Sequence, residues 1–322
     1  MAIGAAGCST GSGAASEATP TAYVVTGANV ANPLDTVAVA DLASARAQQP
    51  LTVGTLPAAV AVTPDGQHAL IAVKGEDELV EVDVASGKVT GSATVGLEPD
   101  AVAVTPDGSL ALVANLQDDT VTPVDLPSLR TGHPVPVGRE PTSVAVSPDG
   151  RLAVVTNFGD GTVTPITLPS LAGEPPIPAG QEPIAALVAD RGSPGASEGT
   201  VLVADFETDS LTPIPLNTRV PGPPVALGVN PTGIAGWPGA PDVYVSGGDA
   251  VVPVELAGLR AGAPVELTSA AEGLALSAGG RSAWVCAASG DLVHVDLTTG
   301  KVVGSVSVGG QPSAVAIAHP GD

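Results

Sequence analysis

Glu98, Glu140 and Glu182 each stand directly before a proline, and they recur at intervals of 42 residues. Carboxylates spaced so regularly belong to equivalent places in successive copies of one unit, so they can gather on one side of the assembled molecule. Asn230 and Gln311 hold the same place in later copies, while Leu56 and Ala270 fill it without a charge. Such hard oxygen donors suit calcium, or the ammonium or guanidinium group of a cationic ligand. The expected ligand-binding set is therefore Glu98, Glu140, Glu182, Asn230 and Gln311, with the three glutamates as the candidate calcium ligands. Asp77, Asp118, Asp119, Asp160, Glu207 and Asp209 add acidity from loops on the same side, and Arg139 is placed to neutralise part of it.

Other chemistry is sparse. His68, His133, His294 and His319 fall at different places in their copies, so they do not converge as an acid/base or metal cluster would. There is no H-E-x-x-H, Walker loop or paired C-x-x-C. The stretch GCSTGSG is glycine-rich but has no strand before it or helix after it, as a phosphate cradle requires. Asp65, Asp107 and Asp149 lie in Pro-Asp-Gly steps and read as turn formers, as do Asn115, Asn157 and Asp205 at the next turn. Cys286 shares a column with Ala114 and Thr156 and reads as a buried, inert thiol; Trp237, Trp284 and Tyr244 read as fillers between sheets. No residue is assigned a catalytic role.

What must position the glutamates is a repeat. Pro57, Pro99, Pro141, Pro183, Pro231, Ala271 and Pro312 mark seven copies of about forty residues. In the third copy TSVAVS, RLAVVT and TVTPITL are separated by Pro148-Asp149-Gly150 and NFGDG, and a proline-rich run follows. Short runs rich in Val and Thr, bounded by Gly, Pro and Asp, are strands, and their short links make neighbours antiparallel. Four such strands in some forty residues make a propeller blade. The expected fold is all-β, a seven-bladed β-propeller.

After Pro312 the chain has room for one innermost strand, SAVAIA, while AYVVTGA, DTVAVADL and QPLTVG near the N-terminus supply the three strands that blade lacks. The last blade should thus be closed by both ends of the chain. Residues before the alignment prolines then ring one mouth of the central channel. Ala61, Ala103, Ala145, Leu187, Ala235, Ala275 and Ala316 mark the middle of the innermost strands, where crowding favours small side chains and Leu187 is the exception. Prolines such as Pro134, Pro136, Pro176 and Pro178 blunt the outer strands, which suits a monomer.

Eleven basic against 33 acidic residues give a formal charge of −22, which disfavours nucleic acid and anionic lipid and favours a cation, a basic peptide or a basic protein as partner. Ala5, Ala6 and Gly7 before Cys8, followed by a Gly/Ser/Ala/Thr stretch, resemble the end of a bacterial lipoprotein signal whose start lies upstream. Residues 1–21 are expected to be a signal remnant and tether lipidated on Cys8, and residues 22–322 the propeller. Membrane contact would be through the lipid alone, and the location extracytoplasmic.

The unit G-x-x-P-x-x-V-A-V-S/T-P-D-G-x-x-A/L-V-V-x-N followed by T-V-x-x-I/V-D, with YVVTGAN at Tyr23–Asn29 and the hairpins DVASGKV and DLTTGKV, resembles the YVTN repeat of surface-layer-type, YncE-like β-propellers. The resemblance covers nearly all of the chain after the tether. It implies an extracytoplasmic binding or surface protein; related seven-bladed rings include lactonases and lyases. A non-enzymatic ligand-binding or interaction scaffold is the expectation, and a lactonase-like hydrolase or lyase with a metal at the mouth is the alternative.

Overall fold

The computed structural model describes residues 20–27, 36–126, 128–189 and 199–318. They form seven small antiparallel sheets, each a blade of a β-propeller. Blade 1 contains Pro57–Val62, His68–Val73, Glu78–Asp83 and Lys88–Thr94, and blades 2 to 6 repeat it with innermost strands Pro99–Val104, Pro141–Val146, Pro183–Ala189, Pro231–Gly236 and Ala271–Leu276. Blade 7 joins the C-terminal strand Gln311–Ala318 to Thr21–Gly27, Thr36–Asp41 and two short outer pieces. Thr21 pairs with Ala318 and Val24 with Val315, so one C-terminal strand and three N-terminal strands close the ring as expected. Cys8 and His319 lie outside the described residues. No helix among the described residues is long and apolar enough to cross a membrane.

Each sheet buries both faces against its neighbours, which explains why the strands read as near-continuous apolar runs. Leu70, Leu112, Val144 and Ile166 belong to one such core, spanning blades 1 to 3. The Pro-Asp-Gly steps are hairpin turns: Asp107 accepts from the Thr105 hydroxyl at 2.6 Å and the Ser109 amide at 3.0 Å. The Thr105 bond above all holds the Asp107 carboxyl below its ordinary range, with burial opposing.

The third-strand prolines sit where the outer strand is interrupted. Pro123 lies between Val121, paired with Val135, and Val124, paired with Thr131. A residue without an N–H cannot carry the outer ladder through that point. Glu81 and His294 take the place of this proline in blades 1 and 6, and there the outer strands Lys88–Thr94 and Lys301–Ser307 run unbroken. Blade 7 is also interrupted, around Val39, without a proline. Proline therefore interrupts outer edges in the blades that carry it, and blades 1 and 6 lack it.

Cys286 is fully buried, and burial pushes its thiol up, with Glu272 adding to the shift. Trp284 is buried and stacks on His294 with ring centroids 4.3 Å apart.

Candidate functional site

All innermost strands start at the same mouth of the ring, and the residue before each starting proline ends a short lead-in loop. Leu56, Glu98, Glu140 and Glu182 occupy this place in blades 1 to 4 with φ of 58°, 51°, 52° and 54°. Non-glycine residues seldom adopt this left-handed region, so the surrounding structure must impose it. Backbone bonds do part of this: the carbonyls of Leu56, Glu98, Glu140 and Glu182 accept the amides of Lys74, Leu116, Phe158 and Phe206, at 3.0 to 3.1 Å.

Most of the loop acids are consumed by the same task. Asp118 accepts the Leu97 amide from its own blade at 2.8 Å, and Asp77 accepts the Glu98 amide of the following blade at 2.9 Å. One repeat later Asp160 accepts the Arg139 amide and Asp119 the Glu140 amide, both at 2.8 Å. The lead-in loops of blades 2 and 3 are thus each gripped by acids from two blades. Arg139 also meets Asp160 through Nε at 2.7 Å, the neutralisation anticipated from sequence. The Arg139 amide, then its side chain, holds the Asp160 carboxyl below its ordinary range.

Among the described residues, no hydrogen bond or ion pair engages the side-chain carboxylates of Glu98, Glu140 and Glu182. No three His, Cys, Asp or Glu side chains among the described residues are gathered closely enough to hold a metal ion. The three glutamates therefore stand one per blade along an arc and do not form a common calcium cage. Asn230 donates through Nδ2 to the Phe206 carbonyl at 3.4 Å, and Gln311 lies exposed at the start of its strand.

Sequence reasoning missed two features of this mouth. The chain has only two phenylalanines, and both occupy the loop position whose amide is bonded to a strained glutamate. Phe158 and Phe206 are each partly exposed. Their register is legible, one residue after Asn157 and Asp205. The second feature is a cation: Lys74, at the matching position of blade 1, forms a 2.5 Å ion pair with buried Asp100 of blade 2.

A second correction concerns Asn115 and Asn157, which are buried clamps and not merely turn formers. Asn157 Oδ1 accepts the Gly138 amide at 3.1 Å, and its Nδ2 donates to the hydroxyls of Thr162 and Thr164, each at 2.9 Å. Asn115 repeats the pattern with Gly96, Thr120 and Thr122. Replacing Asn157 with Ala leaves three polar groups short of a partner and is expected to cost about 2–3 kcal/mol. Thermal unfolding of the variant measures this; a loss below about 0.5 kcal/mol would mean that water replaces the clamp without penalty.

The opposite mouth is apolar. Val104, Val146, Val188, Pro106, Pro148 and Trp237 are among the residues lining a pocket of about 50 Å³ there. Trp237 thus lines this pocket and also lies against Gly280 of the next blade, whereas Trp284 is buried in the core between blades 6 and 7.

No family model matches the chain. No curated protein matches it either. Solved structures do resemble it. Hydrazine synthase from Kuenenia stuttgartiensis aligns with a TM-score of 0.72 at 19% identity, over 82% of this chain and 90% of that one. A structure described as dihydro-heme d1 dehydrogenase NirN in complex with DHE gives 0.67 at 14% identity, over 92% and 74%. A functionally unknown protein from Desulfotomaculum acetoxidans DSM 771 gives 0.80 at 17% identity, over 94% and 100%. At these identities the likeness speaks for the fold, and the chemistry must be argued from this chain's own residues.

Proposed function

We propose that the chain is a non-enzymatic, extracytoplasmic binding propeller of the YVTN-repeat, YncE-like kind, tethered by a lipid on Cys8, whose acidic mouth receives a cationic group on a small ligand or a protein partner. One observation carries this reading: Glu98, Glu140 and Glu182 remain uncommitted in strained geometry while Asp77, Asp118, Asp119 and Asp160 are spent on backbone amides. Phe158 and Phe206, backbone-bonded to two of these glutamates, favour an organic cation over a bare metal. A carboxylate supplies the countercharge and an aromatic ring a polarisable face, a combination that suits an alkylated ammonium or a guanidinium. The seven-bladed fold and the repeat motif support the family assignment; the small-residue run before Cys8 supports the anchor and location.

Calorimetric titration with choline and with arginine methyl ester tests the mouth. The reading expects saturable binding that weakens at least tenfold in Glu140→Gln/Glu182→Gln, and similarly in Phe158→Ala/Phe206→Ala, with both variants folded. A tenfold loss corresponds to about 1.4 kcal/mol, within reach of one charge-assisted contact. Binding of neither probe, or binding indifferent to both variants, would overturn the organic-cation reading. A calcium-selective rise in unfolding temperature, absent with magnesium and lost in Glu140→Gln, would replace it with a metal site.

A further inference from the structure

In blade 4 the clamp residue is an acid. Asp205 stands where blades 2 and 3 have Asn115 and Asn157, and it is fully buried. Its Oδ2 accepts from Thr212 Oγ1, the counterpart of Thr122 and Thr164. Ser210, the counterpart of Thr120 and Thr162, has instead turned its hydroxyl to Thr208 Oγ1 at 2.8 Å. Asp205 Oδ1 is buried with no hydrogen-bond partner.

The lead-in loop records the difference. Gly96 and Gly138, whose amides are held by Asn115 and Asn157, avoid the left-handed region, whereas Gly180 has φ 113° and no amide bond to Asp205. Gly54, in a blade whose clamp position is Val73, has a comparable φ of 125°. Gly180 lies so close to Asp205 that an added Cβ would fall 2.3 Å from Oδ1. A donor is therefore at hand but not engaged.

We propose that Asp205 is a proton-operated latch on the lead-in loop Gly180–Glu182: neutral, it leaves the loop in the geometry described; ionised, it takes the Gly180 amide and the Ser210 hydroxyl and draws the loop into the clamped form of blades 2 and 3. A neutral carboxyl still accepts from Thr212 through one oxygen and tolerates the other going without a partner. A buried carboxylate does not, and it recruits the nearest spare donors. Burial pushes the Asp205 carboxyl up to about 7, opposed by the Thr212 hydrogen bond, so the change falls near neutrality. The proton leaves to solvent, and the two recruited hydrogen bonds take its place.

The innermost and third strands of its own blade, the three inner strands of blade 3 and the innermost strand of blade 5 carry no titratable side chain. Glu182 on the latched loop and Glu207 and Asp209 on Asp205's own loop are acids; Asp160 on the adjacent loop is paired with Arg139. Because Glu182 ends the loop, the latch would set the position of one glutamate at the mouth; that consequence rests on the proposed cation site, while the latch itself does not.

Amide hydrogen exchange at Gly180 in the whole protein reads the latch without any ligand. After correction for the intrinsic pH dependence of exchange, protection of Gly180 should rise on the order of tenfold between pH 5.5 and 8.5, as expected for one added charge-assisted hydrogen bond. Asp205→Asn, the residue already used in blades 2 and 3, should give the protected form at both pH values. Constant protection in the wild type, or a pH dependence that survives in Asp205→Asn, would overturn the latch. A Gly180 transition without choline or arginine-ester binding would leave the latch standing and remove the mouth reading. Binding with constant Gly180 protection would do the reverse.

Discussion

Leu187→Ala is expected to cost about 2–5 kcal/mol, Gly236→Val at least as much, and the two together far less than their sum. Leu187 is the one bulky residue in a column otherwise made of Ala61, Ala103, Ala145, Ala235, Ala275 and Ala316, yet it is buried in a core with Leu202, Ile234, Val243 and Leu256. Room for it comes from the next blade. Gly236 stands where blades 1 to 3 have Val62, Val104 and Val146, and a Cβ there would lie 2.6 Å from Leu187 Cδ2 and 3.0 Å from Val243 Cγ1. Truncating Leu187 alone leaves a void that these β-strands cannot close. Adding a valine alone forces Leu187 off its rotamer or moves the strands. The double variant restores an Ala and Val arrangement like that of the first three blades. Chemical denaturation of the four proteins measures the coupling, and additive losses would show that Leu187 and Gly236 are accommodated independently.

The ring, the number of blades and the closure by both chain ends were legible because they depend on periodicity, which survives at every copy even where single residues change. The mouth was legible as a set of positions, since Glu98, Glu140 and Glu182 keep one register. What each acid does there was not. Asp118 and Asp119 look alike in sequence, but one grips the loop of its own blade and the other that of the next. That division depends on loop geometry, to which strand periodicity is blind. Asn157 likewise reads as a turn former from local rules, because nothing in a linear pattern reveals that Gly138, 19 residues earlier, folds back onto its side chain. Leu187 was visible as an exception, and its explanation lies 49 residues away in Gly236.

Asp205→Asn is expected to stabilise the protein at pH 8 and to have little effect near pH 4. The folded-state carboxyl is pushed up to about 7, from an ordinary value of 3.8. Between these values the folded chain holds a proton that the unfolded chain has lost, so wild-type stability falls as pH rises from about 4 to about 7 and is flat above. A difference of roughly three pKa units corresponds to about 4 kcal/mol, from which donors recruited on ionisation subtract a part, leaving about 2–4 kcal/mol at pH 8. Asparagine carries no such charge and fits the clamp used in blades 2 and 3, so its variant should lack this slope. For a chain of this size the gain amounts to roughly 4–8 °C in unfolding temperature. Asp107 acts in the opposite sense: its carboxyl is held low by Thr105, so its contribution is present above the ordinary carboxylate range and disappears as pH falls through its folded value. The two slopes occupy separate windows, and thermal unfolding at pH 4.5, 6 and 8 at fixed ionic strength resolves the upper one. Equal stabilities of wild type and variant at pH 8 would mean that ionised Asp205 already has its donors, and that blade 4 is clamped like its neighbours.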